Sequence, residues 1–267
     1  MKIKLHSLYE NLTFGQKPQY IEWSKDEGEF DCWSDFYVRD VNTPKEKSIA
    51  LLIEPRSIQP LIYEHMGTHY NNFQYVFTHD SQLLNMADNA RQILWGGVYE
   101  FNVMPKTKDI SFASSDKLFC ELHRKRMELA YSLENVIDCY GTYNGGSFVD
   151  TKTIYGPYKF SIVIENHIDD YWFSEKICNC FANKTIPIYY GARKINELFN
   201  SYGIIQVHEI DDIPEIIKKL DVNRFYTERV YAVDENYELV KQYVCFEDWF
   251  YLKYKNLLQE VARNGKY

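Results

Sequence analysis

Two runs of consecutive apolar residues, Phe160 to Ile164 and Ile186 to Tyr190, predict buried strands in the second half of the chain. Runs of this length without polar alternation are typical of parallel strands that are covered on both faces. Between them, Phe173, Ile177 and Phe181 recur every four residues, which predicts a helix with one buried face. The pattern therefore predicts a strand, a polar loop, an amphipathic helix and a second strand in succession.

The same analysis predicts alternating strands and helices along the rest of the chain. The polar, aromatic-rich segment between the first strand and about Val38 gives no clear prediction. Trp95-Gly96-Gly97 predicts a tight turn, and an irregular stretch around Pro105 predicts a hinge between domains. The further predicted strands are 2–8, 48–53, 74–78, 110–113, 136–139 and 204–207, and the further helices are 59–65, from 81, 118–133, from 211, and 238–262.

Two successive series of alternating strands and helices indicate an α/β protein with two Rossmann-like domains facing across a cleft. We place the domains at residues 1–104 and 105–267, with a long C-terminal helix in the second. A chain of 267 residues is long enough to bury a hydrophobic core and to form two small domains.

Polar residues follow the buried strand at 160–164. Glu165 and Asn166 come at its carboxyl end, where open α/β sheets bind their ligands. Ser174, Glu175 and Lys176 occupy the first turn of the helix, where free backbone N–H groups and the helix dipole favour phosphate. Lys176 runs against the dipole preference, which favours a specific role for it. From spacing alone, an ordinary β-α-β unit with solvated charges remains an equal alternative.

Net charge and composition argue against several classes of protein. The net charge of −8 argues against a nucleic-acid-binding protein, and no apolar run is long enough to span a membrane. The N-terminal residues lack the apolar core of a signal peptide, so a soluble, cytoplasmic protein is expected. The six cysteines show no zinc-site spacing, and reduced thiols are the default expectation.

Four short motifs match in register over the region from residue 158 to residue 191. They are Tyr158-Lys159-Phe160, Glu165-Asn166, Trp172-Phe173-Ser174-Glu175-Lys176 and Pro187-Ile188-Tyr189-Tyr190-Gly191. Together they resemble the donor-binding signature of the α1,3-fucosyltransferases, glycosyltransferase family 10. The resemblance implies a GT-B-like fold, with an acceptor-side first domain and a nucleotide-sugar-binding second domain. It also implies inverting transfer of a sugar to a hydroxyl of a carbohydrate, with fucose from GDP-fucose as the leading candidate.

The resemblance also implies chemical roles for individual residues. The catalytic base corresponds to Glu54, in Leu-Leu-Ile-Glu-Pro-Arg-Ser, and the neighbouring Arg56 could hold it ionised. The departing nucleoside diphosphate requires two cations for its stabilisation. The register of the helix ending at Leu133 favours Arg126 as the first cation, and Lys176 is the second. A solvated carboxylate at a strand end is the alternative interpretation of Glu54.

The remaining donor-binding residues lie around the helix start. Glu175 is expected to accept from ribose hydroxyls, Asn166 to contact sugar or phosphate, and Glu165 to bind the donor sugar. Trp172 stands where the family usually has Tyr, and it is preceded by Tyr171. A contact that the family makes through a Tyr hydroxyl is therefore in doubt, because Trp offers only an N–H donor.

The sequence gives less support to metal binding and to catalytic roles for histidine. Asp169-Asp170 has no further acidic cluster near it, so no metal or other cofactor is predicted. His123 and His167 are expected to be structural or solvated. Two alternatives remain for the whole protein: a glycosyltransferase of this fold that uses another nucleotide-sugar, and a non-catalytic protein that binds a nucleotide or a glycan.

Overall fold

The computed structural model describes residues 1–9, 12 and 16–264, and their contacts group into two compact units. The first unit comprises residues 1–95 together with the chain from Cys245 onwards, and the second comprises Gly96–Val244. Residues 93–107, where the chain enters the second unit, contain no helix or strand. Among the residues described, no helix combines the length and apolar character needed to cross a membrane.

The strands and helices are numbered in chain order. The strands are β1 (Lys2–His6), β2 (Glu22–Ser24), β3 (Asp31–Ser34), β4 (Ser48–Leu52), β5 (Tyr75–Thr78), β6 (Ala90–Gln92), β7 (Lys108–Ala113), β8 (Asp138–Tyr140), β9 (Tyr158–Ile164), β10 (Ile186–Tyr190) and β11 (Ile205–Gln206). The α-helices are α1 (Pro60–His69), α2 (Ser81–Met86), α3 (Glu121–Leu133), α4 (Thr151–Tyr155), α5 (Glu175–Ala182), α6 (Ile213–Lys219), α7 (Val222–Glu228), α8 (Val230–Leu239) and α9 (Phe246–Asn264). Short 3-10 helices lie at 35–40, 45–47, 70–72, 195–197, 201–203, 210–212 and 240–243.

The first unit is built on a parallel sheet with strand order β2-β1-β3-β4-β5-β6. All five residues of β4 are buried, as expected for an interior strand covered on both faces. Trp33 pairs with Ala50 and Ser34 with Leu51, so β3 and β4 end side by side. The residues that follow these two strands, Asp35 and Ile53-Glu54, therefore meet at the same edge of the sheet.

The second unit is built on a parallel sheet with strand order β11-β10-β9-β7-β8. Strand β9 lies at its centre, and Ile162 pairs with Phe112 on one side and Ile188 on the other. Because the strands are parallel, the residues that follow β7, β9 and β10 collect at one edge. That edge carries Ser114, Glu165 and Gly191.

Helix α9 belongs to the core of the first unit. Phe250 is fully buried, and its ring meets the edge of Phe77 on β5 at a centroid distance of 4.7 Å. Glu260 accepts hydrogen bonds from the Gln74 amide at 3.1 Å and from the Tyr75 hydroxyl at 3.0 Å. The chain therefore returns from the second unit to complete the first.

The structure corrects several sequence predictions about elements. The continuous helix predicted over 238–262 is wrong: α8 ends at Leu239, a 3-10 turn follows, and α9 begins at Phe246. Helix α3 begins at Glu121 rather than Leu118, which is exposed. Strands β2, β3 and β6 are additional elements. The division by contacts also differs from residues 1–104 and 105–267, because α9 packs on the first sheet.

Candidate active site

Glu165 organises the start of helix α5 at the carboxyl end of β9. Its side chain is fully buried, and its Oε1 accepts the backbone N–H of Ser174 at 3.0 Å. The other oxygen, Oε2, accepts the Ser174 hydroxyl at 2.6 Å. Burial raises the pKa of Glu165, while the nearby charge of Lys176 opposes that rise. In the structure Glu165 thus holds Ser174 at the helix start, and its predicted contact with the donor sugar stays a prediction.

Lys176 places a positive charge beside two carboxylates and the Ser174 hydroxyl. Its Nζ lies 3.0 Å from Ser174 Oγ, 3.3 Å from Glu175 Oε1 and 3.6 Å from Glu165 Oε2. Burial lowers the pKa of Lys176, but the charges of Glu175 and Glu165 outweigh it, and the pKa lies above its ordinary value. The side chain as a whole remains 28% exposed.

Glu175 forms an ion pair with Lys176, which also lies beside Glu165. Burial alone would raise the pKa of its carboxyl, but the charge of Lys176 and local hydrogen bonds bring the pKa below its ordinary value. The carboxylate is therefore ionised at neutral pH, and it is partly exposed. An ionised carboxylate accepts hydrogen bonds and donates none, as a contact with ribose hydroxyls requires.

Arg126 brings a second, deeply buried cation to the same end of β9. The residue is 5% exposed, its Nη1 donates to the carbonyl of Ile164 at 3.2 Å, and its Nη2 donates to Ser115 Oγ at 3.3 Å. Its Nε is buried and has no hydrogen-bond partner among the residues that the structure describes. The charge of Arg126 opposes the rise in the pKa of Lys176, so the two cations are close enough to interact. An anion between them would relieve that repulsion.

His123 lies one turn before Arg126 on α3 and is also buried. Burial, followed by the charges of Arg126, Lys176 and Lys117, lowers its pKa to about 4. The imidazole is therefore neutral at physiological pH. Its Nδ1 is a further buried atom without a hydrogen-bond partner in the described part of the chain.

Asn166, Trp172 and Tyr171 line the loop that leads into α5. The indole N–H of Trp172, a buried residue, donates to Asn166 Oδ1 at 3.1 Å. The Tyr171 hydroxyl donates instead to Glu197, and Lys194 lies 5.2 Å from the centre of its ring. The structure thus brings Trp172 and Asn166 together, while Tyr171 points to a separate charged group.

The paired aspartates of this loop are occupied by protein partners. Asp169 Oδ1 accepts the backbone N–H of Asp170 at 2.7 Å. The Asp170 carboxylate pairs with Lys194 at 3.0 Å and with Arg193 at 3.6 Å. In the described ranges no cluster of three or more His, Cys, Asp or Glu residues is arranged to hold a metal ion.

Gly191 explains why the motif at the end of β10 requires glycine. A Cβ on this residue would lie 2.2 Å from the Tyr189 hydroxyl and 2.7 Å from Glu165 Cγ. The Tyr189 hydroxyl also accepts the backbone N–H of Ala192 at 3.0 Å. Any larger side chain would displace Glu165 and, with it, the start of α5.

Glu54 lies in the first unit, immediately after β4. Its backbone N–H donates to Asp35 Oδ1 at 3.1 Å, and its carbonyl accepts the Tyr63 hydroxyl at 2.7 Å. Arg56 forms a bidentate pair with Asp80, with distances of 2.9 and 2.8 Å. The predicted stabilisation of the Glu54 carboxylate by Arg56 stays a prediction.

Sequence reasoning assigned no role to Asp35 or Tyr63. Asp35 follows β3, which lies in the segment that gave no clear prediction, although the polar Ser34-Asp35 after the apolar Cys32-Trp33 pair could have indicated a strand end. Tyr63 is one of 23 tyrosines, and its contact with the chain after β4 depends on how α1 packs. Neither contact is visible before the elements are placed in space.

The structure has two parallel-sheet α/β units, and one of them carries two cations and an ionised carboxylate at the carboxyl end of its central strand. Its fold is of the GT-B class. The family model "Glycosyltransferase family 10 (fucosyltransferase) C-term" matches residues 103–261. The chain belongs to glycosyltransferase family 10. This finding confirms the resemblance drawn from the motifs around Glu165 and Lys176.

The sequence identity to individual relatives is low. Alpha-(1,3)-fucosyltransferase FucT of Helicobacter pylori is 28% identical over 103 residues, a match that covers 38% of this chain and 21% of that protein. A solved α1,3-fucosyltransferase with GDP superposes with a TM-score of 0.57 at 13% identity, covering 98% of this chain and 90% of its own. A structure with GDP-fucose gives 0.56 at 14% identity, covering 100% and 90%. At these identities the solved structures support the fold, and the matched segment spans about a fifth of the Helicobacter pylori protein.

Proposed function

We propose that the protein is an inverting glycosyltransferase that moves fucose from GDP-fucose to a hydroxyl of a carbohydrate. The observation that carries the proposal is a pair of basic side chains beside the carboxyl end of β9: Arg126 donates to the Ile164 carbonyl at 3.2 Å, and Lys176 Nζ lies 3.6 Å from Glu165. Membership of glycosyltransferase family 10 supports it, and solved α1,3-fucosyltransferases with GDP and with GDP-fucose have a similar fold.

In this proposal the second unit binds the donor. Arg126 and Lys176 stabilise the negative charge that develops on the departing diphosphate, and the buried Nε of Arg126 gains a partner. Glu175 accepts from the ribose hydroxyls, and Asn166 and Trp172 shape the wall of the site. Ser174 and Glu165 hold the helix start in place. Tyr171 lies on the outer side of the loop that leads into α5.

Glu54 is the proposed base. A single carboxylate suffices for inversion, because it removes the proton of the acceptor hydroxyl as that oxygen attacks the anomeric carbon, and no covalent glycosyl-enzyme forms. A carbohydrate acceptor, independence from metal ions and a cytoplasmic location are further parts of the proposal. Each of these three parts is an expectation from the amino-acid sequence.

The test compares wild type with Glu54→Gln. Transfer is measured with radiolabelled GDP-fucose and a panel of oligosaccharides, with and without Mg²⁺, and GDP binding is measured by thermal unfolding. We expect Glu54→Gln to lose about 10²-fold or more in transfer while keeping the stabilisation by GDP. Glu46→Gln, which removes an exposed carboxylate of the same unit, is the control.

Three outcomes would contradict parts of the proposal. Unchanged turnover in Glu54→Gln would remove Glu54 as the base. Stabilisation by UDP, CMP, dTDP or ADP rather than GDP would keep the class of enzyme but change the donor. Nucleotide binding without turnover for any acceptor would favour a binding protein.

A further inference from the structure

The backbone of Glu54 is held by hydrogen bonds on both of its sides. Asp35 Oδ1 accepts two successive N–H groups, that of Ile53 at 2.9 Å and that of Glu54 at 3.1 Å. The Tyr63 hydroxyl donates to the Glu54 carbonyl at 2.7 Å. These contacts fix the peptide groups before and after the α-carbon of Glu54, and they limit where its side chain can point.

Asp35 occupies this position at a cost in free energy. Its carboxyl is only 6% exposed, and burial raises its pKa to about 7, although the two backbone N–H groups act in the opposite direction. Its backbone has a φ of +50°, in the left-handed region that residues other than glycine seldom adopt. Strain of this kind persists where the surrounding structure requires one geometry, and it concentrates at functional sites.

Tyr63 is itself held in place by neighbours from a third element. Its hydroxyl lies 3.3 Å from Nε2 of His79, which follows β5. The Arg56 guanidinium lies 4.8 Å from the centre of its ring, and Asp80 fixes that guanidinium through two hydrogen bonds. Asp35, after β3, and Tyr63, on α1, thus bind the backbone of Glu54, and His79 at the end of β5 lies against the Tyr63 hydroxyl. An ordinary strand end needs no such contacts.

We propose that Asp35 and Tyr63 are positioning residues that direct the Glu54 carboxylate at the acceptor hydroxyl. The inference rests on the proposed role of Glu54 as the base. Neither residue needs to touch the substrate, because both act through the backbone of Glu54. Loss of either is expected to lower kcat while the KM for the donor stays unchanged, since a base that is displaced by about 1 Å can lose on the order of 10²-fold in rate.

The experiment compares two substitutions of Asp35 that both tolerate its backbone conformation. Asp35→Gly accepts a positive φ but removes the hydrogen-bond acceptor, and we expect kcat to fall about 10²-fold. Asp35→Asn tolerates the left-handed region and keeps a carbonyl oxygen as acceptor, so it should recover most of kcat. Steady-state kinetics with GDP-fucose separate kcat from KM for each variant.

Tyr63→Phe provides a second, independent test that does not alter Asp35. It keeps the buried ring and removes only the hydroxyl that holds the Glu54 carbonyl, so it should fold even if Asp35→Gly does not. We expect a drop in kcat of about tenfold, the size that one lost hydrogen bond of roughly 1.4 kcal/mol gives.

The outcomes separate this inference from the function on which it rests. Wild-type kcat in Tyr63→Phe and in folded Asp35→Gly, together with an inactive Glu54→Gln, would overturn the positioning role alone. A loss in Asp35→Asn equal to that in Asp35→Gly would also overturn it, because the acceptor would then be irrelevant. Full activity of Glu54→Gln would overturn the base assignment first.

Discussion

At the scale of single residues, the two cations of the second unit differ in how much of their binding capacity the protein already uses. Two guanidinium nitrogens of Arg126 donate to Ile164 and Ser115, and its buried Nε has no hydrogen-bond partner among the described residues. Lys176 balances two carboxylates and stays partly exposed. Arg126 is therefore part of the scaffold, whereas Lys176 is the cation that can be removed with the least damage to the fold.

Lys176→Met is expected to weaken GDP binding by about 10- to 100-fold, because a hydrogen bond to a charged group contributes roughly 1.5–3 kcal/mol. Guanosine, which lacks phosphate, should bind equally well to the variant and to wild type. Isothermal titration with both ligands measures the difference. Lys125→Met removes an exposed lysine that pairs with Glu121 on α3, and it is the control.

Equal losses for GDP and guanosine would show that Lys176 shapes the site rather than binding phosphate. A loss of GDP binding in Lys125→Met as large as in Lys176→Met would instead point to a general effect of net charge. That effect would shrink with added salt, because exposed charges are screened.

At the scale of elements, the loop after β8 packs closely against the loop after β7 at Gly141. Gly141, directly after β8, has a φ of +104°, and a Cβ there would lie 2.1 Å from the Ser114 carbonyl oxygen. The Ser114 N–H in turn donates to the Tyr140 carbonyl at 3.0 Å. The position of Ser115, and through it that of Arg126, therefore depends on the absence of a side chain at residue 141.

Gly141→Ala should destabilise the protein more than Gly145→Ala, although both glycines have a positive φ. At Gly145, with a φ of +83°, nothing lies within 4 Å of the added Cβ, so only the backbone strain of about 1–2 kcal/mol is expected. At Gly141 a steric clash adds to that strain. Urea unfolding compares the two variants, and GDP titration should show weaker binding only for Gly141→Ala.

Equal free energies of unfolding for the two variants would mean that the loop around Ser114 moves aside without cost. The predicted link between Gly141 and Arg126 would then be wrong. Normal GDP binding in a destabilised Gly141→Ala protein would separate the fold of this loop from the diphosphate site.

At the scale of the whole molecule, the two units are not two successive segments of sequence. The chain leaves the first unit after Trp95 and returns to it at Cys245. Helix α9 supplies Phe246 and Phe250, which are both buried, and Phe250 packs on Phe77 of β5. The first sheet therefore depends on residues about 170 positions away in sequence.

Phe250→Ala is expected to lower the free energy of unfolding of the first unit by about 3–5 kcal/mol, since it leaves a cavity in that core. Hydrogen exchange followed by mass spectrometry should show lost protection in β4 and β5. Leu252→Ala, in the same helix but 63% exposed, should change stability by less than about 0.5 kcal/mol. Unchanged protection of β5 in Phe250→Ala would contradict the role given to α9.

The sequence by itself determined the features that depend on neighbouring residues. The strand at 186–190 is predicted with its observed bounds, because the apolar run is too short for a helix, contains Pro187 and ends at Gly191. The motifs from Tyr158 to Gly191 were sufficient to identify the family. The α/β class and the long C-terminal helix also follow from local periodicity, although the helix begins eight residues later than predicted, at Phe246.

Only the tertiary structure decided the features that depend on residues far apart in sequence. The side on which α9 packs, the burial of Glu165 beneath Ser174, and the pairing of Arg56 with Asp80 all arise when separate segments meet. The same holds for the hydrogen bonds of Asp35 and Tyr63 to Glu54. Hydrophobic periodicity records which face of an element is buried, but it carries no information about which partner covers that face, since burial of apolar surface is non-directional.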